Sequence, residues 1–136
     1  MFDGCLYFNL SSLTRSITEI WKLEFAKLGL SPSHGYLLFA MVENSGMQQK
    51  DYGDYLDLDA STVNRLIDAL VRKNLVAKNG MGRSSEVYVT DEGRLEYRRI
   101  KKTMDTLRQK MIDSLGEERF DQLVGDLCAV RGTLKN

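Results

Sequence analysis

A set of short polar side chains lies near the start of a predicted helix in the middle of the chain. The segment Asp59–Val76 reads DASTVNRLIDALVRKNLV and places Ser61, Thr62, Asn64 and Arg65 near its beginning. Hydroxyl groups can hydrogen-bond a phosphate or a base, arginine forks onto guanine O6 and N7, and asparagine onto adenine. These residue types therefore indicate contact chemistry with a nucleic acid.

Catalytic and metal-binding patterns do not occur in the sequence. His34 is the single histidine, and the two cysteines, Cys5 and Cys128, lie near opposite ends of the chain without a CxxC motif. HExxH, the P-loop and GxGxxG are missing. The aspartates between positions 51 and 59 are spaced as a solvated face and a helix cap. We therefore expect no enzyme, no cofactor and no metal site.

Composition favours one globular, cytoplasmic domain. The chain has 136 residues, of which 43% are hydrophobic and 28% charged. No apolar run approaches the ~20 residues of a membrane span, and the first residues lack a signal-peptide pattern, so we expect no membrane partner. The formal net charge is zero, but residues 60–110 carry twelve Lys and Arg against six Asp and Glu. Such polarity can present a basic face, although a chance alternation of solvated faces is an open alternative.

The apolar period predicts a mainly helical chain with one β-hairpin. Helices are expected over about 6–28, 32–43, 48–56, 60–73, 91–115 and 117–134. Gly29 is expected to end the first helix, Ser31 to cap the second, and Asp59 or Ser61 to cap the fourth. In the third helix the residues expected to face inward are Tyr52, Tyr55 and Leu56. In the fourth they are Val63, Leu66, Ile67, Leu70 and Val71. In the sixth they are Phe120, Leu123, Val124, Leu127, Cys128 and Val130.

The third and fourth helices form a predicted helix-turn-helix, and a hairpin follows them. The runs LVAK and EVYVT are β-prone and flank the turn NGMGRSS, in which Gly80 and Gly82 let a short connection close. A hairpin after a helix-turn-helix is the winged-helix arrangement. The predicted fold class is therefore mainly α with a small β-hairpin wing.

The order of these elements and their residues resembles the MarR (multiple antibiotic resistance regulator) family of transcription factors. The resemblance covers about residues 6–134 and includes GLSPSHGYLLFAMVENSG, MQQKDYGDYLDLDASTVNRLIDALVRKNLV and VYVTDEG. It implies a homodimeric double-stranded-DNA-binding regulator, expected to act as a repressor on a pseudo-palindrome. It also implies that approximately residues 1–30 and 94–136 form dimerisation helices and that residues 31–93 form the DNA-binding lobe.

In a helix-turn-helix the second helix enters the major groove, so Ser61, Thr62, Asn64 and Arg65 are the candidate base contacts; for Thr62 and Asn64, plain helix-start residues are the alternative. Phosphate contacts are expected from Lys78 and from Arg72 and Lys73, unless these two cap the helix C-terminus. The resemblance implies a minor-groove contact for Arg83. This wing departs from the family: Met81 replaces the usual Asp, Asn74 stands where Gly is common, and the wing is about three residues shorter.

Two further features leave alternatives open. Asp68 on the polar face either excludes indiscriminate phosphate binding or packs against a basic neighbour. The resemblance also implies a cleft for a small anionic or phenolic effector, for which the candidate residues are Arg15, Trp21, Phe25, His34, Tyr36 and Phe39; core packing is the alternative for the apolar ones. A redox-sensing regulator using Cys5, and a winged-helix interaction module that lost DNA binding, are the competing functions.

Overall fold

The computed structural model describes residues 1–80 and 85–135. The first half of the chain holds helices α1 (Leu6–Ala26), α2 (Pro32–Glu43), α3 (Gln49–Leu56) and α4 (Ala60–Arg72). The second half holds strands β1 (Val76–Asn79) and β2 (Glu86–Val89) and helices α5 (Asp91–Leu115) and α6 (Glu117–Leu134). The strands are antiparallel, with Val76 opposite Val89. The predicted fold class, mainly helical with one hairpin, is confirmed.

The chain divides into two compact units, Met1–Thr103 and Met104–Asn136. In the first unit α2 and α3 both pack against α4, and α4 also contacts β1. The fully buried core side chains of this unit include Phe25, Leu37, Leu38, Met41, Ile67 and Leu70. In the second unit Leu107 is buried, whereas no residue of α6 is. Across the described ranges, no helix combines the length and apolar character needed to cross a membrane.

Short polar residues begin the helices as the sequence predicts. Ser31 Oγ accepts the backbone N–H of His34 at 3.3 Å, and Pro32 occupies the first position of α2, where its missing N–H costs no hydrogen bond. Helix α1 ends earlier than predicted: its C-cap is Lys27, and Gly29 follows with a φ of +70°. Glycine at 29 thus serves the reversal between α1 and α2 rather than the cap itself.

Several residues expected to face inward are exposed, and the prediction for them is wrong. Tyr55 is 60% exposed and Val71 is 37% exposed. Tyr55 lies at the edge of the buried stripe of α3, which is centred on Tyr52, and Val71 lies at the edge of the buried stripe of α4, which is centred on Ile67. In α6 the side chains of Val124, Leu127 and Val130 are 40–50% exposed, and Cys128 is also exposed. Periodicity identifies the apolar face of such a helix, but nothing within the described chain buries this one.

Three hydrogen bonds made by Thr90 join the end of α4, the hairpin and the start of α5. Thr90 donates its N–H to the carbonyl of Leu75 at 3.1 Å and its hydroxyl to the carbonyl of Asn74 at 2.7 Å. The same hydroxyl oxygen accepts the N–H of Gly93 at 3.0 Å. Asn74 has a φ of +60°, a left-handed conformation that asparagine tolerates better than most residues, which accounts for the departure from the family's glycine. The TDEG run is therefore a structural element that positions the hairpin.

Replacing Gly93 with alanine should disrupt the hydrogen bonds around Thr90 and destabilise the fold. A Cβ at this position would collide with the carbonyl oxygen of Leu75 and lie 2.7 Å from Val89 Cγ1. We expect a loss of about 1–3 kcal/mol in the free energy of unfolding, measured by urea denaturation, because backbone rather than a flexible side chain must move. Gly125→Ala in α6 is the matched control, since its Cβ would meet no atom within 4 Å. Equal stabilities of the two variants would contradict the packing described.

Candidate nucleic-acid interface

Helix α4 has one buried face and one face in solvent. Val63, Ile67 and Leu70 are at most 1% exposed, and Leu66 is 9% exposed. The other face carries the polar candidates: Ser61, Arg65 and Arg72 are exposed, whereas Thr62 and Asn64 are intermediate. Because the buried stripe fixes the rotation of the helix, all five candidates are held on its accessible side.

Asp59 is the N-cap of α4, which decides between the two predicted caps. Its Oδ1 accepts the backbone N–H of Thr62 at 2.8 Å and the hydroxyl of Ser61 at 2.9 Å. The Thr62 backbone N–H, helped by the hydroxyls of Thr62 and Ser61, lowers the pKa of the Asp59 carboxyl. The Ser61 hydroxyl therefore donates its one proton to the Asp59 carboxylate. Its oxygen lone pairs remain available to a hydrogen-bond donor from a ligand.

The Arg65 guanidinium lies along the helix toward its N-terminal end. Its Nη2 is 3.4 Å from Thr62 Oγ1, so these two side chains lie side by side. A single long hydrogen bond to a neutral hydroxyl is a weak restraint. The guanidinium fork is thus available to a stronger acceptor such as a guanine edge or a phosphate.

Asn64 lines a small cleft between α3 and α4 that sequence reasoning missed. The cleft has a volume of about 240 Å³ and includes Gln49, Lys50 and Asp54 in its walls. Gln49 is 2% exposed, and its Oε1 is buried without a hydrogen-bond partner among the described residues. In the sequence, Gln49 and Lys50 are marked only as part of the MQQK run, which takes part in the resemblance to the MarR family.

The two lysines expected near phosphates have partners within the protein. Lys73 donates to the carbonyl of Gly29 at 3.2 Å, which ties the end of α4 to the turn between α1 and α2. Lys78 Nζ lies 3.6 Å from Asp68 Oδ1, an ion pair between β1 and α4. Of the two alternatives for Asp68, contact with a basic neighbour is therefore present.

The start of β2, at the loop end of the hairpin, is anchored to the helix-turn-helix. The N–H of Gln49 donates to the carbonyl of Ser85 at 3.4 Å, and Gln48 pairs with Glu86 as an antiparallel bridge. Gly80 takes a φ of +95° as β1 ends. Met81, Gly82 and Arg83 lie outside the described residues, so the minor-groove contact of Arg83 stays a prediction.

The structure brings together only some of the expected effector residues. Trp21 Nε1 donates to the hydroxyl of Tyr36 at 3.1 Å, and the Tyr36 and Phe25 rings lie 6.1 Å apart. Arg15 is exposed on α1, six residues before Trp21. Phe39 stacks instead on Tyr97, with the ring centroids 5.2 Å apart. The structure thus brings Trp21, Tyr36 and Phe25 together, whereas Phe39 contacts a different aromatic ring.

His34 interacts with a different set of groups. Its Nδ1 lies 2.5 Å from Ser31 Oγ. Partial burial, followed by the charges of Lys73 and Arg72, lowers the pKa of the imidazole. The neutral form of His34 is therefore favoured, and among the described contacts none joins it to Trp21 or Tyr36.

Neither cysteine is paired, and the described residues contain no metal cluster. Cys5 is exposed at the N-cap of α1, where its Sγ accepts the N–H of Phe8 at 3.5 Å, and Cys128 is an exposed free thiol. In the parts of the chain that the structure describes, no three His, Cys, Asp or Glu side chains lie together as metal ligands would.

The fold and this interface define the class of protein as a winged helix-turn-helix protein. The sequence model of the MarR family matches residues 28–83, which contain the whole helix-turn-helix. The predicted resemblance to this family is thereby confirmed over these residues. No curated protein sequence matches the chain.

Several solved structures share the fold over nearly the whole chain. The transcriptional repressor CouR bound to a 23-mer DNA duplex has a TM-score of 0.89 at 22% identity, covering 96% of this chain and 94% of that one. CouR bound to p-coumaroyl-CoA has a TM-score of 0.86 at 21% identity, with coverage of 96% and 94%. The S. aureus MepR–DNA complex has a TM-score of 0.82 at 18% identity, with coverage of 95% and 98%.

Proposed function

We propose that this protein is a sequence-specific, double-stranded-DNA-binding transcriptional regulator that acts as a repressor. The observation that carries the proposal is the accessible face of α4, where Arg65 is exposed and Thr62 and Asn64 lie half-buried on either side of it, opposite a buried stripe. CouR and MepR, which share the fold, have each been solved with DNA.

In the proposed complex the N-terminal half of α4 lies in the major groove. Arg65 would leave the Thr62 hydroxyl and fork onto a guanine, while the hydroxyl of Thr62 and the carboxamide of Asn64 bond neighbouring bases or phosphates. Arg72 and Lys50 would contact the phosphate backbone, because both are exposed cations of the helix-turn-helix. The contribution of Arg83 from the wing is part of the proposal.

Arg65→Ala should remove sequence preference more than overall affinity. We expect the wild-type protein to bind a cognate duplex ~10³-fold or more tighter than unrelated DNA, and the substitution to cost about 1–3 kcal/mol of that preference. Fluorescence anisotropy with duplexes tiled upstream of the protein's own gene, across a salt series, measures both quantities.

Arg119→Ala is the matched control, since it removes an equally exposed arginine from α6. It should leave the preference between duplexes unchanged. If the wild-type protein binds no DNA of any sequence even at low salt, the regulator proposal fails. A winged-helix interaction module would then be the better account.

We further propose that the protein acts as a homodimer built from its terminal helices, approximately residues 1–30 and 94–136. Support comes from large apolar side chains left in solvent: Leu6 and Tyr7 near the start of α1, and Val124, Leu127 and Val130 along α6. Exposed apolar surface of this extent is typical of an interface. A two-fold dimer would read a pseudo-palindrome with half-sites about one helical turn apart.

Leu127→Asp should convert a dimer into a monomer. A carboxylate buried at the proposed interface would lose its hydration without gaining a partner, which is strongly unfavourable. Sedimentation equilibrium gives the mass directly. Gln122→Asp places the same charge at a polar position of α6 and should leave the dimer intact. A wild-type protein that sediments as a monomer at all concentrations would refute the dimer.

The proposal extends to release from DNA by a small anionic or phenolic effector. Support comes from the hydrogen-bonded pair of Trp21 and Tyr36, an aromatic surface with a polar tip that suits a phenolic ring. CouR, with the same fold, has been solved with p-coumaroyl-CoA. Arg15 would attract the anionic group of such a ligand, while His34 is the least supported member of the set.

Trp21 is the only tryptophan in the chain, so its fluorescence reports directly on this site. Titration with hydroxybenzoates and hydroxycinnamates should give a saturable change in emission, and the same compounds should release bound DNA. Tyr36→Phe should weaken this response, because it removes the hydroxyl partner of the indole. If no compound of this class alters either the emission or the DNA complex, the effector proposal is wrong.

A further inference from the structure

Asp68 is the one acidic residue of α4, and it lies in the middle of the helix's cationic stripe. Arg65 precedes it by three residues and Arg72 follows it by four, so the three side chains share one exposed face. A carboxylate among arginines on a surface facing DNA would oppose binding to phosphates. Asp68 therefore does not contribute to the electrostatic attraction between α4 and DNA phosphates, and its contacts indicate another role for this side chain.

The carboxylate is paired with a lysine of the wing. Lys78 Nζ approaches Asp68 Oδ1 to 3.6 Å, and the Lys78 side chain is only 29% exposed whereas that of Asp68 is 54% exposed. Lys78 lies on β1 opposite Val87, so the hairpin register carries it to α4. In this arrangement Asp68 offsets the lysine charge within the protein and competes with a phosphate for it.

We propose that Asp68 is a specificity-determining residue that lowers the affinity for DNA of unrelated sequence. It does so by holding Lys78 away from phosphates and by repelling phosphates near α4. This inference rests on the DNA-binding function proposed above, and it deepens that function by assigning one residue to discrimination rather than to affinity.

A direct base contact is a less suitable role for Asp68. A carboxylate can accept from cytosine N4, but base contacts in helix-turn-helix proteins come from the N-terminal part of the second helix. Asp68 lies eight residues after Ala60, about 12 Å further along the axis.

Removal of the carboxylate should affect unrelated DNA more than a cognate site. Non-specific binding is essentially all electrostatic, so a freed Lys78 adds one phosphate contact in full. A cognate complex is held in one register by base contacts and cannot shift to place a phosphate under Lys78. The ratio of the two affinities, which is the specificity, should therefore fall.

The test compares Asp68→Asn with the wild-type full-length protein on a cognate and an unrelated duplex by anisotropy across a salt series. We expect the unrelated duplex to bind roughly 3–10-fold tighter, with a log–log salt slope steeper by about 0.9, the value for one further phosphate. The cognate affinity should rise less. Asp105→Asn on α5 removes the same charge elsewhere and should leave both affinities near those of the wild-type protein.

Lys78→Met provides a second, independent reading. If Asp68 already neutralises Lys78, this variant keeps the wild-type salt slope on unrelated DNA, and in the Asp68→Asn background it reverses the added slope. A slope shallower by about 0.9 in Lys78→Met alone would show an ordinary phosphate contact and overturn the inference. Asp68→Asn affinities equal to those of the wild-type protein would do the same.

The remaining outcomes separate this inference from the proposed function. Weaker cognate binding by Asp68→Asn with unchanged unrelated binding would make Asp68 a base or positioning contact and refute the restraint. If wild-type protein and variant alike bind no DNA, the proposed function fails and this inference fails with it. Tighter binding of the unrelated duplex by Asp68→Asn, with the cognate duplex bound by both proteins, would support both.

Discussion

The burial of Val63, Leu66, Ile67 and Leu70 beneath α4 sets the orientation of every polar group on that helix. Each fully buried aliphatic side chain of this kind stabilises the fold by roughly 1.5–3 kcal/mol. Rotating α4 by even one residue, about 100°, would expose most of this stripe. Arg65 is therefore held in solvent by the cost of moving the opposite face, and no polar contact of its own is needed to keep it there.

The hairpin is held in register with α4 by backbone groups. Thr90 satisfies the carbonyls of Leu75 and Asn74 and caps Gly93, while the N–H of Gln49 reaches the carbonyl of Ser85. Both ends of the hairpin are thus joined to the helix-turn-helix. This register decides that Lys78, and not a neighbouring strand residue, meets Asp68.

Much of the fold follows from local sequence signals, whereas pairings between elements do not. Ser31-Pro32, Asp59 and the period of Val63, Ile67 and Leu70 are enough to locate α2 and α4, because capping and amphipathicity act within a few residues. Tyr55 and Val71 could not be assigned correctly, since the width of a buried stripe depends on what packs against it. The contacts of Lys73 with Gly29 and of Lys78 with Asp68 join residues whose approach depends on the completed fold. The cleft beside Asn64 was missed for the same reason.

The neutral net charge of the chain says little about how α4 would meet a polyanion. The helix is about 20 Å long, and charges in salt are felt over about 8–10 Å, so the local arrangement outweighs distant acidic residues. Asp68 lies about one helical turn from both Arg65 and Arg72. Most other carboxylates of the chain are further from these two arginines in sequence. One carboxylate here therefore changes the field at the interface more than several at the termini. Sequence discrimination benefits from this arrangement, because an interface with unopposed cations would hold any duplex, whereas one with an internal counter-charge depends on base contacts for its remaining affinity.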